Sequence, residues 1–397
     1  MISLSADSVY AVKRKSAESG IFRDKKPILT HLDIELTERC NNACMHCYIN
    51  LPEGDSAAKA RELTTLQVKD ILQQAADLGA FSVRFTGGEP LLREDFTEIC
   101  LYARHLGLKV ILFTNARLIT PALAQLFKRT PLLKKIEISV YGMHSESYDS
   151  VASTAGAFAE AFRGMQCLLD SNVPFIVKSL ILPPNESERK EFEEWAAKLP
   201  GMNIDPSYSL FLDLRTRRDA EAKNKLIRSL RLKPEEALRI LTEDKKAYKQ
   251  EMAAFCSRFI GPQGDRLFSC GAGESPCVDA YGKVQVCMLS RYPEYVYDLK
   301  EGNLRDALIG VFPKFLEVRA KNPAYLERCA RCFLRGLCEQ CPAKSWAEHG
   351  TLDKPVEYLC SNAHTQARYL GLIGENEHAW EVTDWQRRVS LFVNSKI

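Results

Sequence analysis

Short strand-like runs alternate with helical patterns from residue 31 to about residue 213. The first such run is HLDIEL at 31–36, and the helical pattern TTLQVKDILQQAADLG follows at 64–79 between a threonine cap and a glycine stop. Five further strand-like runs follow, from FSVRFT at 81–86 to IDPSYSLFLD at 204–213. Repeated strand–helix units predict a parallel sheet, either open or curled into a barrel. Six units are fewer than the eight of a closed barrel, so periodicity leaves both architectures open.

The length of the chain indicates more than this one domain. The whole chain has 397 residues, which is too long for one ordinary hydrophobic core, so we expect two domains with connecting segments. We expect the first domain at 31–215, after a short N-terminal arm at 1–30 that carries a basic run at 13–15. A charged helical bridge at 216–265 precedes a smaller cysteine-rich domain at 266–365, which has short strands and many turns. Gly282 in DAYGKVQVC predicts a hairpin turn between two of these strands. A helical tail follows at 366–397.

Composition narrows the functional class. Hydrophobic residues make up 46% and charged residues 26%, as in ordinary soluble globular proteins. Because 54 basic residues nearly balance 51 acidic ones, no nucleic-acid-binding surface is indicated. No stretch approaches the roughly 20 apolar residues that span a bilayer, and no secretory signal is apparent. We expect a cytoplasmic protein, with neither nucleic acid nor a membrane among its partners.

Fourteen cysteines point to metal rather than disulfides, because cytoplasmic thiols are kept reduced. Cys40, Cys44 and Cys47 follow the first strand with the spacing C-x3-C-x2-C, and such loops carry chemistry in parallel sheets. Three thiolates suit an iron–sulfur cluster or zinc. In a [4Fe–4S] cluster they leave one iron open to a substrate. In a zinc site, His46 would be the fourth ligand.

A second feature lies at the end of the next strand, where Thr86-Gly87-Gly88-Glu89-Pro90 follows the apolar run. Paired glycines let a small molecule approach backbone amides closely. Glu89 and the neighbouring backbone offer acceptors for an ammonium group.

Together, these motifs resemble the radical S-adenosylmethionine (SAM) enzymes over residues 30–215. The shared features are C-x3-C-x2-C after the first strand, the aromatic Tyr48 beside the last cysteine, and GGEP after the second strand. The resemblance implies an α/β fold with a partial (β/α)6 TIM-like barrel, in which the amino and carboxylate groups of SAM chelate the open iron. An electron from the cluster then cleaves SAM to methionine and a 5′-deoxyadenosyl radical, which abstracts hydrogen from the substrate.

The same resemblance implies the SAM contacts. Gly87, Gly88 and Glu89 would hold the methionine amino group, and Ser139 on the fourth strand would face the ribose or the carboxylate. Many relatives carry an arginine shortly after the equivalent of Ser139, whereas YDSVASTAG at 148–156 contains none. Lys178 on the fifth strand is the substitute that we expect.

The later cysteines resemble the SPASM extension of radical SAM enzymes over about 266–365, with C-x11-G-x4-C, then C-x2-C-x5-C-x2-C, then a late cysteine. The resemblance implies two further [4Fe–4S] clusters without an open iron, which favours electron transfer or a structural role. The first would be held by Cys270, Cys277, Cys287 and Cys341, and the second by Cys329, Cys332, Cys338 and Cys360. Two zinc sites are the alternative, since C-x2-C pairs are also zinc-like.

Several other residues carry weaker signals. Cys100 and Cys167 are expected to be buried small hydrophobes, while Cys256 is either a core thiol or a substitute ligand near Cys270. Residues 215–219, which include three arginines, follow the sixth strand. A solvated loop is expected there, with recognition of a peptide carboxylate as the alternative.

The sequence therefore predicts a radical SAM oxidoreductase with a SPASM domain, three [4Fe–4S] clusters and SAM. Because SPASM relatives mostly act on peptides or proteins, we expect a small, ribosomally made precursor peptide that receives a cross-link or another modification. A reducing partner such as flavodoxin or ferredoxin would supply the electron. The same chemistry in the synthesis of a peptide-derived redox cofactor or of heme is one alternative, and a non-catalytic zinc-binding scaffold is another.

Overall fold

The computed structural model describes residues 28–130, 133–215, 221–268 and 270–395. The basic run at 13–15 and residues 216–220 therefore lie outside the described residues, as does most of the N-terminal arm. The chain forms two compact units. The first comprises Met1–Leu230 with Ala272–Phe312, and the second comprises Arg231–Gly271 with Pro313–Ile397, each as far as it is described.

The strands lie in the first unit and build one large sheet and one small pair. They are β1 (His31–Thr37), β2 (Arg39–Cys40), β3 (Leu51–Pro52), β4 (Ser82–Gly87), β5 (Lys109–Thr114), β6 (Leu133–Ser139), β7 (Ile176–Leu180), β8 (Ser207–Ser209), β9 (Cys277–Val278), β10 (Lys283–Gln285) and β11 (Val296–Asp298). The large sheet has the order β11-β10-β9-β1-β4-β5-β6-β7-β8, and β2 pairs separately with β3.

Eight helices belong to the first unit as described. They are α1 (Ser56–Arg61), α2 (Thr65–Asp77), α3 (Phe96–His105), α4 (Pro121–Arg129), α5 (Ser145–Ala152), α6 (Ala157–Asp170), α7 (Arg189–Ala196) and α8 (Glu221–Ser229). Further along the chain are α9 (Pro234–Leu241), α10 (Lys245–Phe259), α11 (Phe312–Leu316), α12 (Arg335–Cys338), α13 (Pro342–His349), α14 (Glu357–Tyr369) and α15 (Trp385–Val393). Short 3-10 turns occupy Pro90–Leu92, Glu186–Glu188 and Pro293–Tyr295, and wider π turns occupy Asp306–Val311 and Tyr325–Cys329.

Strand order distinguishes a barrel from an open, doubly wound sheet. The six parallel strands β1, β4, β5, β6, β7 and β8 are neighbours in chain order. A doubly wound sheet reverses its strand order at a switch point, whereas a (β/α) barrel adds each strand beside the last one. The partial (β/α)6 barrel is therefore confirmed.

The two faces of the barrel sheet differ in polarity, because successive strand residues point to opposite sides. In β1, Leu32, Ile34 and Leu36 are fully buried on one face. The opposite face carries charged groups on several neighbouring strands, namely Asp33, Glu35, Arg84, Glu137 and Lys178. The barrel thus presents a polar inner face, at whose C-terminal end the candidate site lies.

The first predicted helix begins where its sequence signals place it. The Thr64 hydroxyl accepts a hydrogen bond from the Gln67 amide at 3.3 Å, and the Gln67 side chain accepts one from the Thr64 amide at 2.9 Å. This reciprocal capping satisfies two backbone donors that a helix start leaves unpaired. One face of α2 then buries Val68, Ile71 and Leu72.

A hairpin extends the barrel sheet at its β1 edge. Strand β9 runs parallel to β1, with Cys277 opposite Asp33, and β10 runs antiparallel to β9. Gly282 in the turn has a φ of +86°, which only glycine adopts without strain. The predicted hairpin is present, and it places 272–312 in the first unit, so the predicted segment 266–365 has residues in both units.

The second unit is helical around an apolar core, which includes Phe333, Ala363 and Leu372. Cys256 is 2% exposed within this core and is therefore a core thiol. The predicted tail at 366–397 contains the end of α14, which stops at Tyr369, and α15, which begins at Trp385. Gly371, just past α14, has a φ of +71°, the left-handed conformation that terminates helices. In the described part of the chain, no helix is both long and apolar enough to cross a membrane.

Candidate active site

The cysteine loop follows the C-terminal end of β1. Cys40 ends β2, and Cys44 and Cys47 lie in the loop that leads to β3. A cavity of about 200 Å³ opens beside this loop. Of the residues that the sequence singled out, it is lined by Cys40, Cys44, Cys47, Tyr48, Gly87, Gly88, Ser139 and Lys178. The fold therefore gathers, around one cavity, residues from four separate parts of the chain.

The thiols of the loop are poorly solvated. Burial raises the pKa of Cys44 to about 12 and holds the pKa of Cys40 above the ordinary range for a thiol. Without a bound metal, both side chains are therefore neutral at pH 7. A metal or cluster binds thiolates, so its binding would release these protons.

The arrangement of the donors bears on which metal group the site fits. Within the described residues, no three His, Cys, Asp or Glu side chains converge as ligands of a single ion. A mononuclear zinc site holds all its sulfur ligands about 2.3 Å from one ion. The described side chains around the loop are therefore not arranged as a mononuclear zinc site.

His46, the alternative zinc ligand, lines the same cavity. Its ring stands edge-on to Tyr141, with centroids 5.3 Å apart. Burial lowers the pKa of His46 to about 3, so its imidazole is neutral. Its Nδ1 is buried and has no hydrogen-bond partner among the described residues. His46 Nδ1 is therefore available to form a hydrogen bond or to bind a metal.

The paired glycines are required by the packing of the chain against itself. A Cβ at Gly88 would lie 2.1 Å from the carbonyl oxygen of Arg39, and one at Gly87 would lie equally close to the Thr37 oxygen. The Gly88 amide donates to that Thr37 oxygen at 2.7 Å. The sequence indicated that the glycines admit a ligand; the structure shows that they first admit the segment leading to Cys40.

The Glu89 side chain is not among the residues that line the cavity beside Gly87 and Gly88, but two of its hydrogen-bond partners, Thr114 and Asn115, are. It is 1% exposed and accepts hydrogen bonds from Thr114 Oγ1 (2.8 Å), the Asn115 amide (2.8 Å) and the Leu91 amide (3.1 Å). Buried backbone donors need such an acceptor, because leaving them unpaired is costly. Burial also raises the pKa of Glu89 to about 7. Glu89 therefore accepts hydrogen bonds both from the end of β5 and from the 3-10 turn that follows Glu89 in the chain.

Asn115 is a site residue that the sequence analysis missed. It follows β5 directly and lines the cavity. Its side-chain Nδ2 donates a hydrogen bond to Asn41 Oδ1 at 2.7 Å and lies 3.8 Å from Cys40 Sγ. The available signal was its place at the C-terminal end of a parallel strand, where functional side chains collect.

Ser139 and Lys178 stand opposite each other on β6 and β7. The ammonium of Lys178 lies 3.3 Å from the ring centroid of Phe113 and 3.5 Å from the Glu137 carboxylate. Burial lowers the pKa of Lys178 to about 8, against the Glu137 charge that raises it. Lys178 is therefore mostly cationic at pH 7 and forms part of the cavity wall.

Arg215 corrects the expectation of a solvated loop after the sixth strand. It is 6% exposed and donates to the carbonyls of Cys47 at 3.1 Å and Asn50 at 3.2 Å. Buried carbonyls in an irregular loop need donors from elsewhere, and the planar guanidinium reaches two at once. Arg217, Arg218 and Asp219 lie outside the described residues.

In the second unit, four cysteines line one cavity: Cys329, Cys332, Cys338 and Cys360. Burial raises the pKa of both Cys329 and Cys332 to about 12. These are the four residues expected to hold the second auxiliary cluster. The other expected set divides between the units, with Cys277 and Cys287 in the first and Cys270 and Cys341 in the second.

Comparisons with known proteins point to one family. Residues 34–198 match the family model of the Radical SAM superfamily. An AdoMet-dependent heme synthase of Methanosarcina barkeri is 27% identical over 342 residues, covering 80% of this chain and 92% of that protein. The mycofactocin maturase MftC of Mycobacterium tuberculosis is 30% identical over 275 residues, covering 66% of this chain and 65% of its own length.

Among solved structures, Streptococcus suis SuiB bound to its precursor peptide SuiA has a TM-score of 0.62 at 15% identity. The likeness covers 87% of this chain and 79% of that one, and it bears on the fold alone. The fold and the cysteine loop define a radical SAM domain. Residues 34–198 form a domain of the radical SAM superfamily, and the chain is an enzyme. This domain implies a [4Fe–4S] cluster and SAM.

Proposed function

We propose that Cys40, Cys44 and Cys47 hold the [4Fe–4S] cluster and that SAM binds at its open iron. A cluster bound there supplies the electron that cleaves SAM to methionine and a 5′-deoxyadenosyl radical. The observation that carries this proposal is the single cavity shared by the three thiols, the paired glycines and the ends of β6 and β7. The chain's own contribution is to place the ligands and to shield the reacting atoms from water.

The cavity walls suggest how SAM is oriented. The backbone at Gly87 and Gly88 would hold the amino group, and Lys178 would offer a cation to the carboxylate, since all three residues line the cavity. Ser139 would meet the ribose or the carboxylate, and Tyr48 would contact SAM beside the last cysteine. Glu89 would help to hold the amino group, while its carboxylate also accepts hydrogen bonds from Thr114 and Asn115.

We further propose two auxiliary [4Fe–4S] clusters. Cys329, Cys332, Cys338 and Cys360 would hold one of them, as their shared cavity supports. Cys270, Cys277, Cys287 and Cys341 would hold the other. With four thiolates each, neither cluster has an open iron, so both would transfer electrons or stabilise the fold.

For the substrate, we propose a small, ribosomally made precursor peptide that receives a cross-link or another modification. The fold is shared with SuiB, which was solved with a precursor peptide, and MftC is a maturase. Flavodoxin or ferredoxin would supply the electron. The cytoplasm is the proposed compartment, because it keeps thiols reduced for cluster assembly.

Synthesis of heme from a porphyrin precursor is the second candidate. Two AdoMet-dependent heme synthases match 80% and 85% of this chain at 27% and 25% identity. MftC matches a shorter part, 66% of the chain. The two candidates share the hydrogen abstraction and differ in what binds the polar inner face of the barrel.

Deuterium transfer distinguishes the two substrates. The reconstituted protein would be given SAM, dithionite and either a deuterated peptide encoded beside its gene or a deuterated iron-coproporphyrin. Deuterium in 5′-deoxyadenosine from the peptide supports the proposal. Deuterium from the porphyrin, together with loss of carbon dioxide, supports the second candidate and contradicts the first. Transfer from neither compound, while SAM is still cleaved, would contradict both.

A further inference from the structure

Three cationic side chains converge on the backbone of the cysteine loop. Lys223 Nζ donates to the Cys44 carbonyl at 2.6 Å, and Arg215 donates to the carbonyls of Cys47 and Asn50. Arg117 donates to the Asn41 carbonyl and, at 2.7 Å, to Asn42 Oδ1. Four loop carbonyls therefore accept hydrogen bonds from positively charged groups.

These cations come from separate elements. Arg117 follows β5, Arg215 follows β8 and Lys223 lies in α8. On the amide side, the loop is held by α5, because the amides of Ala43 and Met45 donate to the carbonyls of Ala152 and Val151, each at 3.0 Å. The loop is thus fixed from two sides, with positive charge on its carbonyl side.

The positive charges differ in how far carboxylates neutralise them. Arg117 pairs with Glu160 at 2.7 Å. Lys223 forms no ion pair with a carboxylate in the described part of the chain, and its hydrogen bond goes to the loop carbonyl. A neutral donor would satisfy that carbonyl equally well. An ammonium at this place, without a carboxylate partner among the described residues, adds an electrostatic effect to the structural one.

We propose that Lys223, together with Arg117 and Arg215, is a positioning residue whose charge also favours reduction of the cluster that the loop holds. The inference rests on the proposed function, since it requires the cluster at Cys40, Cys44 and Cys47. Three thiolates make that cluster anionic, and the one electron taken from the flavodoxin- or ferredoxin-type donor adds negative charge to it. Fixed positive charge nearby lowers the cost of that step, as charge does at other iron–sulfur sites.

The test measures the reduction potential of the cluster. Wild type, Lys223→Met and Lys223→Arg would be reconstituted, and each would be titrated with dithionite while the SAM-sensitive electron paramagnetic resonance signal is recorded. At a fixed potential, Lys223→Met should lower the ratio of reduced to oxidised cluster about tenfold, which is about 59 mV for one electron. Lys223→Arg retains the charge and should stay close to wild type.

A second variant tests whether removal of a negative charge has the opposite effect on the reduction of the cluster. Glu160 is 40% exposed at its side chain and opposes Arg117, so Glu160→Gln should raise the ratio of reduced to oxidised cluster. Equal shifts in Lys223→Met and Lys223→Arg would show a purely structural role and overturn the inference. An unchanged reduction potential in Lys223→Met at full iron content would also overturn the inference. If wild type itself assembles no SAM-sensitive cluster, the proposed function fails instead.

Discussion

The backbone amide of Asn115 donates to the Glu89 carboxylate at 2.8 Å, across 26 residues of chain. This hydrogen bond joins the end of β4 to the end of β5 beside the cysteine loop. Asn115 in turn contacts Asn41 of that loop through its side chain. A buried carboxylate therefore helps to place the loop that carries the cluster ligands.

The raised pKa of Glu89 predicts a distinct pH dependence of stability. Its pKa of about 7, raised by burial from an ordinary value of 4.5, means that the folded state holds this proton more tightly than the unfolded chain. Its contribution to stability is thus fully present below pH 4.5 and is lost as the pH rises to about 7. Glu89→Gln cannot titrate there.

Urea unfolding of the metal-free protein at several pH values measures this effect. The free energy of unfolding of wild type minus that of Glu89→Gln should fall between pH 4.5 and 7 and stay level above. A difference that rises over this range would show that the hydrogen bonds, which lower the pKa, outweigh burial.

A methyl group at Gly88 should disrupt the site. Gly88→Ala would bring a Cβ against the Arg39 carbonyl, so the segment before Cys40 must shift. We expect a loss of at least about 1–3 kcal/mol in the free energy of unfolding, together with reduced iron uptake. Gly54→Ala is the matched control, because its Cβ would meet nothing within 4 Å. If both variants take up iron like wild type, the packing account is wrong.

Iron content tests the auxiliary site of the second unit. Cys332→Ala removes one of the four thiols that line the shared cavity and should lower iron by about four atoms per chain. Cys256→Ala removes a thiol from the nearby apolar core and should leave iron unchanged. Zinc in place of iron in wild type would favour the scaffold alternative, and equal iron loss in both variants would indicate general unfolding.

A buried ion pair inside the barrel should be strongly coupled. Arg291 contacts the Glu35 carboxylate and also Gln285, and the side chains of the pair are 4% and 1% exposed. Arg291→Met leaves a buried carboxylate without its cation and should cost about 3–5 kcal/mol of unfolding free energy. The double variant Glu35→Gln/Arg291→Met should cost less than the sum of the two single variants. Additive costs in urea unfolding would contradict the coupling.

Local sequence pattern was sufficient for most of the fold. The six strands and the Thr64 cap follow from side-chain periodicity and capping, which act between near neighbours. The pairing of β9 with β1 could not be predicted, because it joins Cys277 to Asp33 across most of the chain. Such contacts depend on tertiary packing and leave no periodic signal.

The site residues likewise fall into those that the sequence predicts and those that only the fold shows. Cysteine spacing and the paired glycines pointed to the correct loops, because their chemistry is carried by residue type and spacing. Arg215 was expected to lie in a solvated loop and Lys223 was not singled out, since a charged residue in a charged segment is usually solvated. Only the fold shows that both reach loop carbonyls.

Cleavage of SAM tests the central claim most directly. The reconstituted protein would be incubated without oxygen with SAM and dithionite, and 5′-deoxyadenosine would be measured by mass spectrometry. The control is the triple variant Cys40→Ala/Cys44→Ala/Cys47→Ala. We predict that wild type forms 5′-deoxyadenosine and that the triple variant forms none. Absence of this product from wild type carrying its full iron content would contradict the account.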